Sequence, residues 1–377
     1  MMQLAGKMNL VVCQKSKVED WVNHFKQHYS NTVVWNLTSK KEFDDWILFC
    51  VDEFIHVCVI NYDLIFRRPE LAKAVFDTIM LDESSLIQNE QAKRSRFILR
   101  RIRHNNCILL SGTPTGGKYE KLWSQCRLLG WEISKEAFWN TYVRYHFQDF
   151  NGFPQKVIDG YKNVERLKAK LREHGAVFMK SEEVFDLPEQ LFSDIRVTTT
   201  TAYKKFAKTS IIDYEGRKLV GDTTLTKMLY LRMLCAPAKL DAYRDILSST
   251  DDRLIVFYNF NSELKALVEA TDRPISIVSG QEKDLEEYEK SEDSVTFIQY
   301  QAGSMGLNLQ KANKIIYFSP PVSSELFEQS KKRIHRIGQI RPCFYYRLIC
   351  KDSIEERIYK VLEMRKDYTE RLFEGGE

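Results

Sequence analysis

The chain has no apolar run of about 18 residues or more, the length a membrane-crossing helix needs, so no membrane span is expected. Its first residues lack the basic start, apolar middle and small-residue cleavage site of a secretory leader. It has no C-x-x-C pair. The eight cysteines (Cys13, Cys50, Cys58, Cys107, Cys126, Cys235, Cys343 and Cys350) are scattered, most of them inside apolar runs such as "NLVVC", "HVCVI" and "NCILL". That usage reads as buried thiols in a reducing cytoplasm, not as a disulfide frame or a zinc site. No internal repeat and no low-complexity tract is present, and no complete G-x-x-x-x-G-K-[ST] phosphate loop occurs.

What is there is ordinary globular material. The 377 residues are 44% hydrophobic and 29% charged, enough for two domains with separate cores. A formal charge of +4 is compatible with nucleic acid without arguing for it.

Two stretches alternate short β-branched runs with amphipathic patterns, the signature of parallel sheets wound with helices. The first predicts strands at "NLVVC" (9–13), "TVVWNL" (32–37), "HVCVI" (56–60), "TIMLD" (78–82) and "NCILL" (106–110). The second predicts them at "RLIVFY" (253–258), "ISIV" (275–278), "VTFIQY" (295–300), "KIIYF" (314–318) and "CFYYRLI" (343–349). Ser16 with Glu19, and Ser353 with Glu356, have capping-box spacing at helix starts, and the last helix is expected to run to about Phe373. From 131 to about 250 the pattern turns aromatic, charged and helical. The expected division is a first α/β lobe over 1–130, a helical insertion over 131–190, a second lobe over 191–351 with a helical start, and a closing helix over 352–377. Two such lobes suggest a ligand cleft.

"TIMLDESS" puts Asp82 and Glu83 where an apolar strand ends, and open parallel sheets bind ligands beyond the carboxyl ends of their strands. There one acid can hold Mg²⁺ and its neighbour can polarise the water that attacks a γ-phosphate. Alone, such a pair equally marks a strand that exits into a polar loop. It is followed by "LLSGTP" (109–114), a small hydroxyl-bearing turn, and by "QAGSMGLNLQKANKIIYF" (301–318), whose Gly303 and Gly306 let backbone amides approach a phosphate. "EQSKKRIHRIGQ" (328–339) then sets Gln329, Arg333 and Arg336 on an expected helix, where the two arginines, three apart, share a face. Forked guanidinium groups suit developing phosphoryl charge.

In order and spacing, "LDESS", "LLSGTPTGGKYEKLW", "GSMGLNLQKANKIIYF" and above all "QSKKRIHRIGQ" resemble the successive motifs of Swi/Snf-type ATPases of helicase superfamily two, in their small phage- or bacterial-type form. The likeness covers nearly the whole chain, with "NLVVCQKSKVEDWVNHF", "VINYDLI", "LPEQLFSDIRVTTTTAYKKF" and "RLIVFYNFNSEL" between the motifs. It implies two RecA-like lobes, ATP and Mg²⁺ as cofactors, and movement along double-stranded DNA, often without strand separation. By the same resemblance Asp82 holds Mg²⁺, Glu83 activates water, and Ser111, Gly112 and Thr113 couple hydrolysis to movement. Gln329, Arg333 and Arg336 reach ATP from the second lobe, while Lys15, Ser16, Asn61, Tyr62, Ser304 and Asn308 hold a DNA backbone. Two departures stand out: Ser84-Ser85 follows the acid pair where relatives carry a small residue and His, and "FSPP" (318–321) replaces a Trp-Asn-Pro pattern.

Gly6-Lys7 imitates the end of a phosphate loop, but Met8 follows where Ser or Thr is needed and "NLVVC" is already the next strand. Gly6 is expected to be a cap or turn residue at the end of a helix, with Gln3 suitably placed in it. The loop itself is expected upstream of Met1, so that the chain as given hydrolyses ATP weakly or not at all. Basic residues Lys93, Arg94, Arg96, Arg100, Arg101 and Arg103, and a second set at Lys204, Lys205 and Lys208, are candidates for DNA phosphates or for solvated helix faces. The leading expectation is a monomeric, cytoplasmic, DNA-stimulated ATPase that translocates on double-stranded DNA. The alternatives are an RNA helicase of the same superfamily and a non-catalytic DNA-binding or partner-docking module.

Overall fold

A computed structural model describes residues 6–49, 53–112, 114–150, 153–179, 185–303 and 307–373. The chain divides into two compact units, Met1–Phe178 with Asp367–Glu377, and Met179–Lys366.

The first unit is built on five strands: β1 (Met8–Cys13), β2 (Thr32–Asn36), β3 (Ile55–Asn61), β4 (Val75–Leu81) and β5 (Arg103–Leu109). They pair in the order β2-β3-β1-β4-β5, every pairing parallel. Parallel pairs need crossovers. Helices α1 (Val18–His28), α2 (Lys40–Leu48), α3 (Tyr62–Ile65) and α4 (Lys93–Arg101) lie in the connections. Successive side chains of β1 therefore enter different cores: Leu10 and Val12 pack with Phe43, Trp46 and Ile98, while Val11 and Cys13 pack with Val18, Val22 and Phe25 of α1. Burying each such aliphatic side chain contributes about 1.5–3 kcal/mol, and this two-sided burial is why the strands read as unbroken apolar runs.

Beyond β5 come α5 (Trp123–Leu128), α6 (Lys135–Tyr142), two antiparallel strands β6 (Val143–Phe150) and β7 (Phe153–Tyr161), and α7 (Val164–Glu173). They share a core of Tyr119, Leu122, Trp131, Phe138, Tyr142, Leu167 and Leu171. The expected helical insertion over 131–190 is thus corrected: Val143–Phe150 and Phe153–Tyr161 pair as antiparallel strands.

The second unit holds a six-stranded parallel sheet. Its strands are β8 (Gln190–Val197), β11 (Leu254–Tyr258), β12 (Ile275–Val278), β13 (Val295–Gln299), β14 (Lys314–Tyr317) and β15 (Cys343–Cys350), in the order β12-β13-β11-β14-β15-β8. Before it runs α8 (Thr201–Thr209), a small hairpin β9 (Ile211–Tyr214) and β10 (Arg217–Val220), α9 (Thr224–Met233) and α10 (Leu240–Ser248). Helices α11 (Asn261–Glu269), α12 (Glu286–Lys290), α13 (Tyr300–Gly303), α14 (Ser324–Lys331) and α15 (Ile354–Phe373) complete it. Alternation again divides the strands between two cores, with Ile255, Phe257 and Ile315 in one and Leu254, Val256 and Ile316 in the other. The architecture is α/β, two RecA-like parallel sheets with added helices and hairpins. No described helix is long and apolar enough to cross a membrane.

Two helix starts differ from their expected form. Helix α1 is capped by Lys17 with no side-chain hydrogen bond, because Lys15–Lys17 forms a 3₁₀ turn that carries Ser16 out to solvent. At α15, Ser353 Oγ accepts from the Glu355 amide at 3.1 Å, and Glu356 accepts from Asp352 N at 3.2 Å, one residue earlier than a capping box requires.

Candidate functional site

In the first unit the site is assembled at the carboxyl ends of β1, β3, β4 and β5. Asp82 directly follows β4, and its amide donates to Val12 O at 2.9 Å, so the sheet ladder fixes its backbone. Trp21, on α1, donates its indole Nε1–H to Asp82 Oδ2 at 2.9 Å. The other carboxylate oxygen has no hydrogen-bond partner among the described residues. Tyr62, buried at the start of α3, donates its hydroxyl to the Asp82 carbonyl at 2.9 Å. Burial first, and then the nearness of Asp82, holds that phenol well above its ordinary range, so it stays a donor. The Cys13 thiol is pushed up to about 12, by burial and then by Asp82 and Asp20, and is likewise neutral. The phenol and the thiol that border Asp82 are therefore uncharged, as is the indole that clamps it.

Glu83 takes a left-handed conformation, φ 58° and ψ 55°. For a residue with a Cβ this costs on the order of 1–3 kcal/mol, and it swings the chain from β4 into a 3₁₀ turn over Ser84–Ile87. The turn is tied to the exit of β5: Leu110 N donates to Leu81 O at 2.9 Å and Ser84 N to Leu110 O at 2.8 Å. Ser111 and Gly112 thereby stand beside the acid pair, as their sequence order suggests, while Thr113 lies outside the described residues. Gln88 and Gln125 both donate to Pro114 O, at 3.1 and 2.8 Å, and Ser84 Oγ donates to Gln125 Oε1 at 3.2 Å. Ser84, the first of the two serines after the acid pair, thus has a structural use.

Lys15 and Ser16 are exposed just after β1, and Asn61 and Tyr62 close β3 beside it, with Cys13 opposite Asn61 in register. Those four candidates share one edge of the sheet with Asp82. Arg100 and Arg101 do not. They sit exposed at the last turn of α4, which runs back antiparallel to the strands and feeds the start of β5, so they stand at the opposite edge. Lys204, Lys205 and Lys208 are exposed on α8.

Gly6 is a turn residue ahead of β1, as expected; the helix expected before it, with Gln3, lies outside the described residues. The Lys7 and Met8 amides donate to Asp77 Oδ2 at 2.7 and 2.9 Å. A Cβ on Gly6 would meet the Asp77 carboxyl carbon at 2.3 Å, which is why the position takes glycine.

In the second unit the arginine motif is corrected in shape. Helix α14 ends at Lys331, and Arg333 and Arg336 lie on the turns beyond it, not on a continuous helix. Buried neighbours hold these turns. Ile334 is in the core, His335 Nε2 bonds Pro188 O at 2.9 Å, and Gln339 Nε2 donates to Gln310 O at 3.1 Å and Ala312 O at 2.9 Å. Gln339 Oε1 in turn accepts from the amides of Ile340 and Arg341, at 3.1 and 3.0 Å. The glycine-containing loop is strapped to the same turns: Leu309 N donates to Arg333 O at 3.1 Å, and Arg336 Nη1 donates to Asn308 Oδ1. Gln329 is half-buried on α14 and Gly303 ends α13, while Ser304 and Gly306 lie outside the described residues. Sequence reasoning missed Trp21, Gln88, Gln125, His335 and Gln339 as supports. Only Trp21 had a local signal, its i,i+3/i,i+4 spacing with Val18 and Phe25.

A second buried network supports this sheet. Glu263 Oε2 accepts from Asn259 N at 2.8 Å and from Ser319 Oγ at 2.9 Å. Lys239 and Glu355, both fully buried, pair at 2.5 Å. Cys235, Cys350 and Glu355 approach one another closely, but the carboxylate already holds an ammonium, and the hydrogen bond with Cys350 and then burial raise the Cys235 thiol, so the trio is a poor metal site.

Comparison with known proteins agrees with the motif reading. A family model described as the SNF2-related domain matches residues 2–239, and one described as the helicase conserved C-terminal domain matches residues 238–338. YwqA of Bacillus subtilis, named as an ATP-dependent helicase/translocase, is 27% identical over 340 residues, 81% of this chain and 36% of that protein. The human SWI/SNF-related matrix-associated actin-dependent regulator of chromatin subfamily A member 1 is 23% identical over 421 residues, 95% of this chain and 38% of that protein. The chain thus spans little more than a third of the length of these curated relatives. Among solved structures, the Sulfolobus solfataricus SWI2/SNF2 ATPase core in complex with dsDNA is 18% identical, covering 98% of this chain and 83% of that one, with a TM-score of 0.39. By the match over residues 2–239, the larger part of its length, the chain belongs to the SNF2-related domain family.

Proposed function

We propose that the chain is the motor portion of an ATP-driven translocase acting on double-stranded DNA, a hydrolase whose ATP turnover DNA stimulates, and that it works as a monomer. One observation carries the reading. Asp82, at the carboxyl end of an inner strand of a parallel sheet, is clamped through one carboxylate oxygen by Trp21 and keeps the other without a protein partner among the described residues. A hard, fixed, half-shielded oxygen fits Mg²⁺ or one of its waters. When bound, Mg²⁺-ATP would supply the phosphoryl group and the charge that polarises it. This chain's residues would do the rest: Asp82 holds the metal, Glu83 orients and deprotonates water, Gln329 and the amide of Gly303 border the nucleotide, and Arg333 and Arg336 neutralise developing charge. Gly306 would join Gly303 in that role. Ser111 and Gly112, beside the acid pair, would carry the state of the phosphate to the rest of the first unit, with Thr113 as the third residue of that role.

For the DNA backbone, Lys15 and Ser16 are the exposed candidates, with Ser304 and Asn308 in the second unit. Tyr62 and Asn61, being buried, would act by holding Asp82 and the end of β3 in place. Arg100 and Arg101 would form a separate phosphate contact on the far edge.

The test is ATP hydrolysis with duplex DNA, RNA or no nucleic acid. It is run on the chain and on the chain with a phosphate-loop strand and loop joined ahead of Met1. Stimulation by duplex DNA above RNA in the extended form is the expected result. Equal stimulation by RNA moves the track to RNA, and DNA binding without turnover in either form leaves a docking module.

A further inference from the structure

Hairpin β6–β7 is absorbed by none of the roles above, yet it carries a dense set of rings and cations. Opposite each other in register stand Phe147 and Lys156, and the Lys156 ammonium lies 4.4 Å from the Tyr145 ring centroid, 5.3 Å from Trp139 and 5.8 Å from Phe147. Phe147 and Tyr145 form an edge-to-face pair, at 5.8 Å and 86°, and Phe147 is 62% exposed. At the root of the hairpin an open cleft of about 680 Å³ is lined by Asn140, Val143, Arg144, Tyr145, Asp159 and Lys162. Tyr145 therefore belongs both to the ring ladder and to the cleft.

The charges in that cleft are unbalanced. Asp159 is engaged by His146 at 2.8 Å, whereas the side chains of Arg144 and Lys162 have no acid or carbonyl partner among the described residues. Gly160 leaves room for the Arg144 guanidinium, whose Nη2 a Cβ there would meet at 2.9 Å. An exposed ring and two half-buried ones interleaved with a cation, next to two cations that have no acid partner among the described residues, match a ligand that alternates flat π-faces with negative charge. In a duplex the base faces are stacked on one another and the rings have nothing to meet.

We propose that this hairpin binds unpaired nucleotides of single-stranded DNA, with bases stacked on Phe147 and Tyr145 and phosphates held by Arg144 and Lys162. This site goes beyond the duplex track of the motor reading. Its experiment measures binding without ATP, so the two readings fail separately.

The measurement is fluorescence anisotropy of a labelled oligo(dT) and of a blunt duplex of equal length, on the full chain and its variants. Removing the ring under one stacked base weakens binding by roughly 5- to 100-fold. Phe147→Ala and Phe147→Leu are both expected to lower affinity for oligo(dT) by that much while duplex affinity stays within about twofold; leucine keeps apolar bulk but not the ring. Arg144→Gln with Lys162→Gln is expected to flatten the salt dependence of oligo(dT) binding by about 0.7 for each phosphate that is no longer neutralised. Circular dichroism identical to the parent chain shows that the variants fold. The proposal is overturned by wild-type oligo(dT) affinity in both Phe147 variants, or by Phe147→Leu binding as well as the parent. A parallel fall in duplex affinity also overturns it, as does a concentration-dependent mass by light scattering that disappears with Phe147→Ala, which would make the hairpin an interface between copies.

Discussion

Replacing Gln339 by alanine separates two explanations of the "RIHRIGQ" motif: a string of residues that all touch nucleotide, or two working arginines on a turn that the other residues hold. Gln339 is 5% exposed, and its amide reaches the carbonyls of Gln310, Ala312 and Ile334 and the N–H groups of Ile340 and Arg341. Ile340 is 89% exposed, so water can replace the missing acceptor for the amides of the segment it belongs to. The carbonyls of the fully buried Ala312 and Ile334 have no such recourse. An unsatisfied buried group costs about 1–3 kcal/mol, which for the two carbonyls puts Gln339→Ala at roughly 2–6 kcal/mol of stability. Arg336→Ala, by contrast, removes one side-chain bond at the surface, to Asn308, and is expected to change stability by less than about 0.5 kcal/mol. Urea unfolding gives the totals, and hydrogen exchange across 334–341 localises the effect. Faster exchange there in Gln339→Ala, with parent-like exchange in Arg336→Ala, is the expected pair of results. Unchanged stability and exchange in Gln339→Ala would refute the anchoring argument.

The remaining expectations concern both units. Glu83→Gln is expected to lower ATP turnover of the loop-extended chain by at least about 10³-fold, with duplex affinity and urea midpoint unchanged; near-parent turnover removes Glu83 from its role. Trp21→Phe deletes the donor to Asp82 and is expected to cost about 1 kcal/mol and to raise the Mg²⁺ concentration for half-maximal turnover, whereas an unchanged Mg²⁺ dependence separates Asp82 from the metal. Lys239→Met leaves Glu355 as a buried, unpaired acid and is expected to cost about 3–5 kcal/mol, most of it recovered by adding Glu355→Leu; a double variant no more stable than the single one rejects the pairing. Burial pulls the Lys239 ammonium down, but Glu355 outweighs it and holds its pKa above the ordinary 10.5. A raised folded-state value means that the contribution is full below about pH 10.5 and disappears as pH climbs through the folded value. The parent chain should therefore lose stability at more alkaline pH than that, and the double variant should lose less.

The inner strands are legible as apolar runs because a strand buried on both faces has no polar face to break the run, while the edge strands β2 and β5, only partly buried, are legible from their short β-branched and aliphatic stretches. Strand β8 sits at a sheet edge and alternates Leu191, Ser193 and Ile195 with charged and aromatic neighbours, which blurs it into the polar segment before it. The β6–β7 hairpin does have a signal. Val143, Tyr145 and Phe147 alternate with Arg144, His146 and Gln148, and Asn151-Gly152 follows, a two-residue turn signature that aromatic content obscures. The acid pair is legible from its place at a strand end. Its supports are not, because hydrogen-bond partners 61 residues apart, as for Trp21 and Asp82, or 27 apart, as for Gln339 and Ala312, leave no periodic trace.

Those supports share a chemistry that bears on how each charged group works. Asp82 is held by an indole and, through its backbone, by a phenol; the turn bearing Arg333 and Arg336 is held by a carboxamide. With ionised supports instead, each reactive charge would carry a fixed counter-charge that a phosphate or metal must first displace. Neutral donors and acceptors fix geometry without themselves cancelling the field that the charged group presents, so the support removes none of the charge that an arriving Mg²⁺ or phosphate meets. It follows that replacing a support by a charged residue of similar size should harm function more than stability. Gln339→Glu is the sharpest case. It keeps acceptance from the Ile340 and Arg341 amides, and sets a carboxylate beside the arginines. Relative to Gln339→Ala it should unfold at a similar urea concentration yet bind nucleotide phosphate more weakly. Equal phosphate affinity in the two variants would show that the neutrality of the support does not matter.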